Sequence, residues 1–463
     1  MKKLILHSAV LFLFFNAYSQ SIPLNSESWN FTPNSVEFKT KNGVEKMLIS
    51  PSSGKVVAKN IEFSNGTIEF DSFATKALSF FFRMENKDEN EYFYLRTARA
   101  GDSTAMDAIQ YAPYIDGVLM WNIYPQFQSN ANFSLEGKNH FKFVVSGSRM
   151  EIYINSETPT LEVDHLEGNF ETGLLGFEGE AEISNVKIDP KNTGSLSTSP
   201  GIDPVANDPR YIRNWAVSEG IQIPDKVDFS YEYLPSPDTE WKIITTERRG
   251  LVNLTRLFGK IEGKRLNWLK LKIESEKEQT KQVDFGFLTE TWVFLNGQML
   301  YLDKNLQGRL MAKKPDGRIS IENTSFELPL KKGQNELLIG IANQAWGTGA
   351  MMRLDNLNDV KVSPDPSFDD RMTKLPKASL KAFEGKYLTE NGIELVVTSN
   401  AYSLIFESQN YINATAYPKS DSLFFVREFD AEFQFLFDSN KVVSGLEIIF
   451  NGEKFATLKK KKD

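Results

Sequence analysis

The stretch Val293-Phe294-Leu295-Asn296-Gly297-Gln298-Met299-Leu300 sets an Asn-Gly pair between two apolar runs. Both central residues of a two-residue hairpin turn need positive φ, and Asn-Gly supplies it with little strain. The device recurs in IIFNGEKF, Ile448 to Phe455, and more loosely in IYINSETPTL, Ile152 to Leu161. Each copy lies in a different part of the chain, so the pattern predicts three separate β units.

Working outward, short runs of alternating apolar and polar residues fill the chain. Residues 22–190 hold GTIEFDSF, EYFYLRTA, HFKFVVSG and MEIYINS, separated by turn residues as in a jelly roll or sandwich. DPKNTGSLSTSPGIDPVANDP, Asp189 to Pro209, has no apolar period and reads as a linker over 191–209. A second β series, with WKIITTE, LNWLKLKIES and NELLIGIAN, fills 210–362. SPDPSFDD opens a second linker over 363–376, and a meander of about six short strands occupies 377–463. No long amphipathic helix is legible. The expected fold class is all-β: two tandem jelly-roll or sandwich domains plus a small antiparallel C-terminal β domain.

Composition narrows the function. The first residues, MKKLILHSAVLFLFFNAYSQ, have a charged start, an apolar centre and a small-residue end, the pattern of a signal peptide over 1–19. That predicts a secreted or periplasmic chain with no stable membrane insertion. Cys is absent, so neither a disulfide nor a lipid-bearing Cys is available. The net charge of -8 argues against nucleic acid as a partner, because such binding rests on Lys and Arg. The closing run Lys459 to Lys462 reads as a solvated tail.

Several chemistries lack their parts. Of three His residues, His7 belongs to the leader, leaving His140 and His165, which read as surface or capping residues. No cofactor or metal is expected, with a structural Ca2+ left open. Two S-x-x-K matches, Ser52 to Lys55 and Ser184 to Lys187, lack the helix and the K-T-G of a serine hydrolase. Alternation puts Glu69 and Asp71 of GTIEFDSF on one sheet face. The pair resembles the E-x-D-x-x-E strand of laminarinase-type glycoside hydrolases, but Ala74 stands where that pattern has its third carboxylate.

The richest candidate site lies in EYFYLRT, where Tyr92, Tyr94 and Arg96 share one face. Asp107, Gln110, Tyr111 and Trp121 follow closely, and DAIQYAPYIDG could fold back over that face. Flat aromatic rings beside Arg, Asp and Gln are the parts of a sugar site. The expected ligand-binding residues are therefore Tyr94, Arg96, Asp107, Gln110, Tyr111 and Trp121, with no catalytic residue assigned. Arg96 and Trp121 are expected to serve binding with little effect on melting temperature. The same residues also admit a plain structural role, Arg96 stapling a loop to Asp107 and Trp121 lying in the core. A weaker candidate in the second β series gathers Arg248, Arg249, Asn253, Asn343 and Trp346.

FFFRMEN, YFYLRTARAG, DAIQYAPYIDGVLMWNIY and GLLGF make the first domain resemble concanavalin-like and laminin-G-like jelly rolls, near the 3-keto-glycoside hydrolase-like domains. EWKIITTERRGLVNLTR, TWVFLNGQMLY and LPLKKGQNELLIGIANQAWGTG make the second resemble the galactose-binding-like jelly roll. LKAFEGKYLTENGIELVV and GLEIIFNGE make the third resemble the small β domain that trails class C β-lactamase-like serine hydrolases, here without a hydrolase before it. These resemblances imply an exported bacterial protein binding a glycan or polysaccharide through its first domain. The alternatives are a glycoside hydrolase or lyase using carboxylates of that domain, and a protein-interaction scaffold.

Overall fold

The computed structural model describes residues 19–225, 229–409 and 413–461. Most of the expected signal peptide, residues 1–18, lies outside them. The fold is all-β; among the described residues the α-helices are two five-residue turns, Leu254–Phe258 and Lys377–Lys381. The chain divides into two compact units, Met1–Asp203 and Pro204–Asp463.

The first unit is organised by the strand Gly66–Asn86. Phe70 and Phe80 are ten residues apart on it, roughly 33 Å if the strand were straight. Their rings are instead 5.4 Å apart. The strand therefore doubles over, with Ala74 at φ 45° in the corner and Ser72 Oγ 2.9 Å from Thr75 Oγ1. Strand Leu174–Asp189 pairs along its whole length and bends with it through three register shifts. The other edge splits at the corner: Asn139–Ser146 pairs with the first half and Glu89–Leu95 with the second. Two layers result, and Phe80 and Phe93 of one meet Phe143 of the other at 4.6 and 5.2 Å. Burying these rings is what holds the fold closed.

The second unit holds an eight-stranded and a four-stranded sheet, and an eight-stranded closed barrel from Gly385 to Lys460. Between the two sheets Trp215, Leu269, Leu271 and Ile339 pack with Phe285, Phe326 and Met352. Asn296 and Gly297 adopt φ 54° and 82°, Asn451 and Gly452 φ 52° and 78°, as hairpin turns of the expected kind. A Cβ on Gly297 would sit 2.7 Å from the carbonyl oxygen of Arg427, so the barrel also requires glycine there.

Two local expectations are corrected. Lys459 and Lys460 are not a tail: they pair with Leu388 and Tyr387 and close the barrel, because an eighth strand is needed to satisfy both edges. The segment after Val362 is not free. Val360–Pro364 pairs with the strand Lys264–Ser275, and the Asp365 side chain is buried beside Lys270.

Candidate functional site

Strand register sorts the predicted residues. Tyr94 pairs with Gln110 and Phe93 with Tyr111. Directly opposed residues share a face, so Gln110 joins Tyr94 and Arg96 on the outer face of this layer. Tyr111 turns to the core with Phe93. Its hydroxyl donates to Glu91 Oε2 at 2.5 Å and accepts from the Glu167 amide at 2.6 Å.

On the outer face Arg96 is a node. Its Nη1 donates to the carbonyl of Asp107 at 2.6 Å. Its Nη2 donates to the Tyr94 hydroxyl at 2.8 Å and to Gln110 Oε1 at 2.5 Å. Tyr94 in turn donates to Gln110 Oε1 at 2.8 Å, and Gln110 Nε2 donates to the carbonyl of Trp121 at 2.7 Å. Tyr94, Arg96, Asp107 and Gln110 are thus brought together. The Asp107 carboxylate turns away to Arg99 at 3.1 Å. Trp121 does not open a strand: it sits in a turn, 7% exposed, and meets Gln110 through its backbone.

Next to this network lie residues that sequence reading left out of the site. Tyr92 donates to Glu178 Oε2 at 3.0 Å, and its ring meets that of Tyr114 edge-on at 5.0 Å. Lys55 lies 4.4 Å from the Tyr114 ring centroid. Leu119, Leu174 and Met84 pack around them. Burial pulls the Lys55 ammonium down to about 8 although Glu178 and Asp88 pull the other way. Burial pushes the Tyr114 phenol up to about 12, helped by Glu178, and raises Tyr92 as well. Both phenols therefore stay protonated as donors. Lys55 and Glu178 sit on different strands and loops from EYFYLRT. No local sequence signal joins them; only the bend of the long strands does.

The Glu69 and Asp71 pair lies on the outer face of the opposite layer. Asp71 is 3% exposed and receives Lys138 at 2.8 Å, Asn185 at 2.7 Å and His140 Nδ1 at 2.8 Å. Burial would raise its pKa, but these three partners outweigh that and hold it below the usual carboxylate range. Three of the carboxylate's roughly four lone-pair positions are thus taken by the protein's own donors. His140 is exposed, as expected, and His165 is half-buried at 3.4 Å from Glu167.

In the second unit, pairing of Val252–Asn253 with Ala350 and Gly349 brings Arg248, Arg249, Asn253 and Trp346 to one end of the sandwich. Asn253 there caps Leu254–Phe258, and Asn343 bonds the Gly347 carbonyl and Thr348 Oγ1. Both amides serve the loops that carry them. Among the described residues no group of three or more His, Asp or Glu is placed to hold a metal ion.

No family model matches the chain, and no curated protein matches it in sequence. Solved structures similar to its fold include the carbohydrate-binding module CBM66 from Bacillus subtilis, at 14% identity over 36% of this chain and 92% of that one, TM-score 0.24. The Bacillus licheniformis β-glucanase is 14% identical over 37% of this chain and 97% of its own, TM-score 0.27. Domain 4 of AbnA, a GH43 extracellular arabinanase from Geobacillus stearothermophilus solved with arabinotriose, is 11% identical over 38% and 95%, TM-score 0.24.

Proposed function

We propose that the protein is an exported glycan-binding protein whose ligand lies on the outer face around Tyr92, Tyr94, Arg96 and Tyr114, without cleavage. The observation that carries this reading is the Arg96 network. Three polar side chains are locked into one geometry beside a tyrosine floor on a sheet face pointing away from the core. Preorganised planar donors next to aromatic rings suit a pyranose, which offers hydroxyls at its rim and C–H groups on its faces. The locked state of Asp71 supports binding over hydrolysis by the Glu69 strand. A glycan array with the purified protein tests the reading. Retention on at least one glycan family is expected, with Tyr114→Ala weakening it about tenfold or more. Silence across the array, or an unchanged Tyr114→Ala, overturns it.

A further inference from the structure

The Lys55 ammonium is unusually placed for a cation on a glycan-binding face. Three rings surround it: Tyr114 at 4.4 Å, Phe81 at 5.3 Å and Tyr92 at 5.8 Å from their centroids. It donates to the carbonyl of Lys87 at 2.8 Å. Among the described residues no carboxylate comes within ion-pair distance of it. Glu178, the anion pulling on it most strongly, has turned Oε2 to the Tyr92 hydroxyl.

Aromatic faces stabilise an ammonium, but they replace its lost water incompletely. Burial dominates here, and the proton is held less firmly than on a free lysine. An arriving anion would supply what is missing and gain more than it would from a lysine in water, since the surroundings are already partly dry. Lys55 and Arg96 balance Glu178 and Asp88 in formal charge, but neither acid forms an ion pair with Lys55, and Glu178 Oε2 is held by the Tyr92 hydroxyl. Arg96 adds a second cation on the same face, and Tyr92, Tyr94 and Tyr114 are neutral, the hydroxyls of Tyr92 and Tyr94 already donating to Glu178 and Gln110. Glu178 and Asp88 are the opposing charges.

We propose that this face selects glycans carrying a uronate, with the sugar carboxylate paired to Lys55 and the ring resting on the tyrosine floor. This rests on the reading of the face as a glycan site and adds the chemical class of the ligand. A sugar ring and a carboxylate on one residue match the two things the face offers.

The test uses the full chain and tetramers of galacturonate, glucuronate, mannuronate and guluronate, each with its carboxyl-reduced neutral counterpart, in calorimetry at several pH values. At least one uronate is expected to bind tenfold or more tightly than its neutral partner. That preference should persist below pH 8 and shrink up to tenfold per pH unit above it, as the free protein's Lys55 loses its proton. Lys55→Met should abolish the preference and its pH dependence, the affinities for uronate and neutral tetramers becoming equal. Lys55→Arg should keep the preference and extend it to higher pH. Equal binding of uronate and neutral tetramers, or a preference unchanged in Lys55→Met, overturns the inference and leaves the glycan reading standing. If no tetramer of either kind binds, the uronate inference falls, and the glycan array decides the reading it rests on.

Discussion

Arg96 Nη2 and Gln110 Oε1 are 2.5 Å apart across two neighbouring strands, and Gln110 is wholly buried. A residue expected to face a ligand thus spends three of its five guanidinium donors inside the protein. Arg96→Ala would leave Gln110 Oε1 with one donor fewer and the Asp107 carbonyl without its guanidinium. Losing hydrogen bonds to a charged donor in a half-buried site costs roughly 1–3 kcal/mol. For a unit of this size that lowers the melting temperature by about 3–10 °C. Glycan retention should fall as well, since Tyr94 loses its anchor. Scanning fluorimetry beside affinity electrophoresis checks this, and an unchanged melting temperature would show that the network is slack.

Trp121→Ala separates the structural role from the binding role more sharply. The indole is 7% exposed, in a turn that covers Gln110. Truncating a buried Trp costs about 3–5 kcal/mol. The variant should therefore melt far below the wild type, in contrast to Tyr114→Ala, which removes a half-buried ring. Comparable melting temperatures for the two variants would place Trp121 back among ligand-contacting residues.

Glu69→Gln should change neither glycan retention nor stability by more than about 0.5 kcal/mol, the usual range for exposed positions. Asp71→Asn should behave differently, because it removes the acceptor shared by Lys138, Asn185 and His140. Any polysaccharide turnover that vanishes on Glu69→Gln would restore the catalytic alternative for this strand.

The buried acid on the core side of the site strand gives a pH signature. Burial pushes the Glu91 carboxyl up to about 7, against the opposing pull of Tyr111 and Arg83. A carboxyl raised in the folded state binds its proton more tightly there than in the unfolded chain. Its contribution is therefore fully present below the ordinary value near 4.5 and is lost as pH rises through 7. The change is on the order of a few kcal/mol. Glu91→Gln keeps the neutral form at every pH, so the variant should gain stability relative to wild type between pH 5 and 8. Denaturant melts at pH 5, 6, 7 and 8 read this directly, and parallel pH profiles for the two proteins would contradict it.

The all-β class and the three hairpins were legible because each rests on local chemistry: alternation along a strand, and positive φ at Asn296, Asn451 and Asn155. The site was half legible for the same reason. Tyr92, Tyr94 and Arg96 share a face by period two alone, and Gln110 joins them by hairpin proximity. Tyr111 could not be placed from sequence, since a register shift of one residue exchanges the faces of Gln110 and Tyr111. Lys55 and Glu178 were invisible for a different reason. They reach Tyr92 only because Gly66–Asn86 and Leu174–Asp189 fold over together, and that bend depends on long-range packing of Phe70, Phe80 and Phe177.

The last prediction concerns the segment 363–376, which composition marks as a linker. Lys270 is 3% exposed and donates to the carbonyl of Ser367, while pairing with Glu336 at 2.8 Å. Glu336 also holds Arg427 of the barrel at 2.7 Å, and Arg427 stacks over Phe368 at 4.8 Å. Lys272 reaches Asp370 at 3.0 Å. The segment is thus pinned between sandwich and barrel by charges that water cannot easily replace. Residues 191–209 are mostly exposed by comparison. Limited proteolysis should cut within 191–209 first and leave 363–376 intact. Lys270→Ala removes one partner of a buried ionic cluster, a change of about 3–5 kcal/mol in such settings. It should expose 363–376 to the protease while each β body stays folded. Early cutting of the wild type at 363–376 would mean that the ionic cluster does not hold in solution.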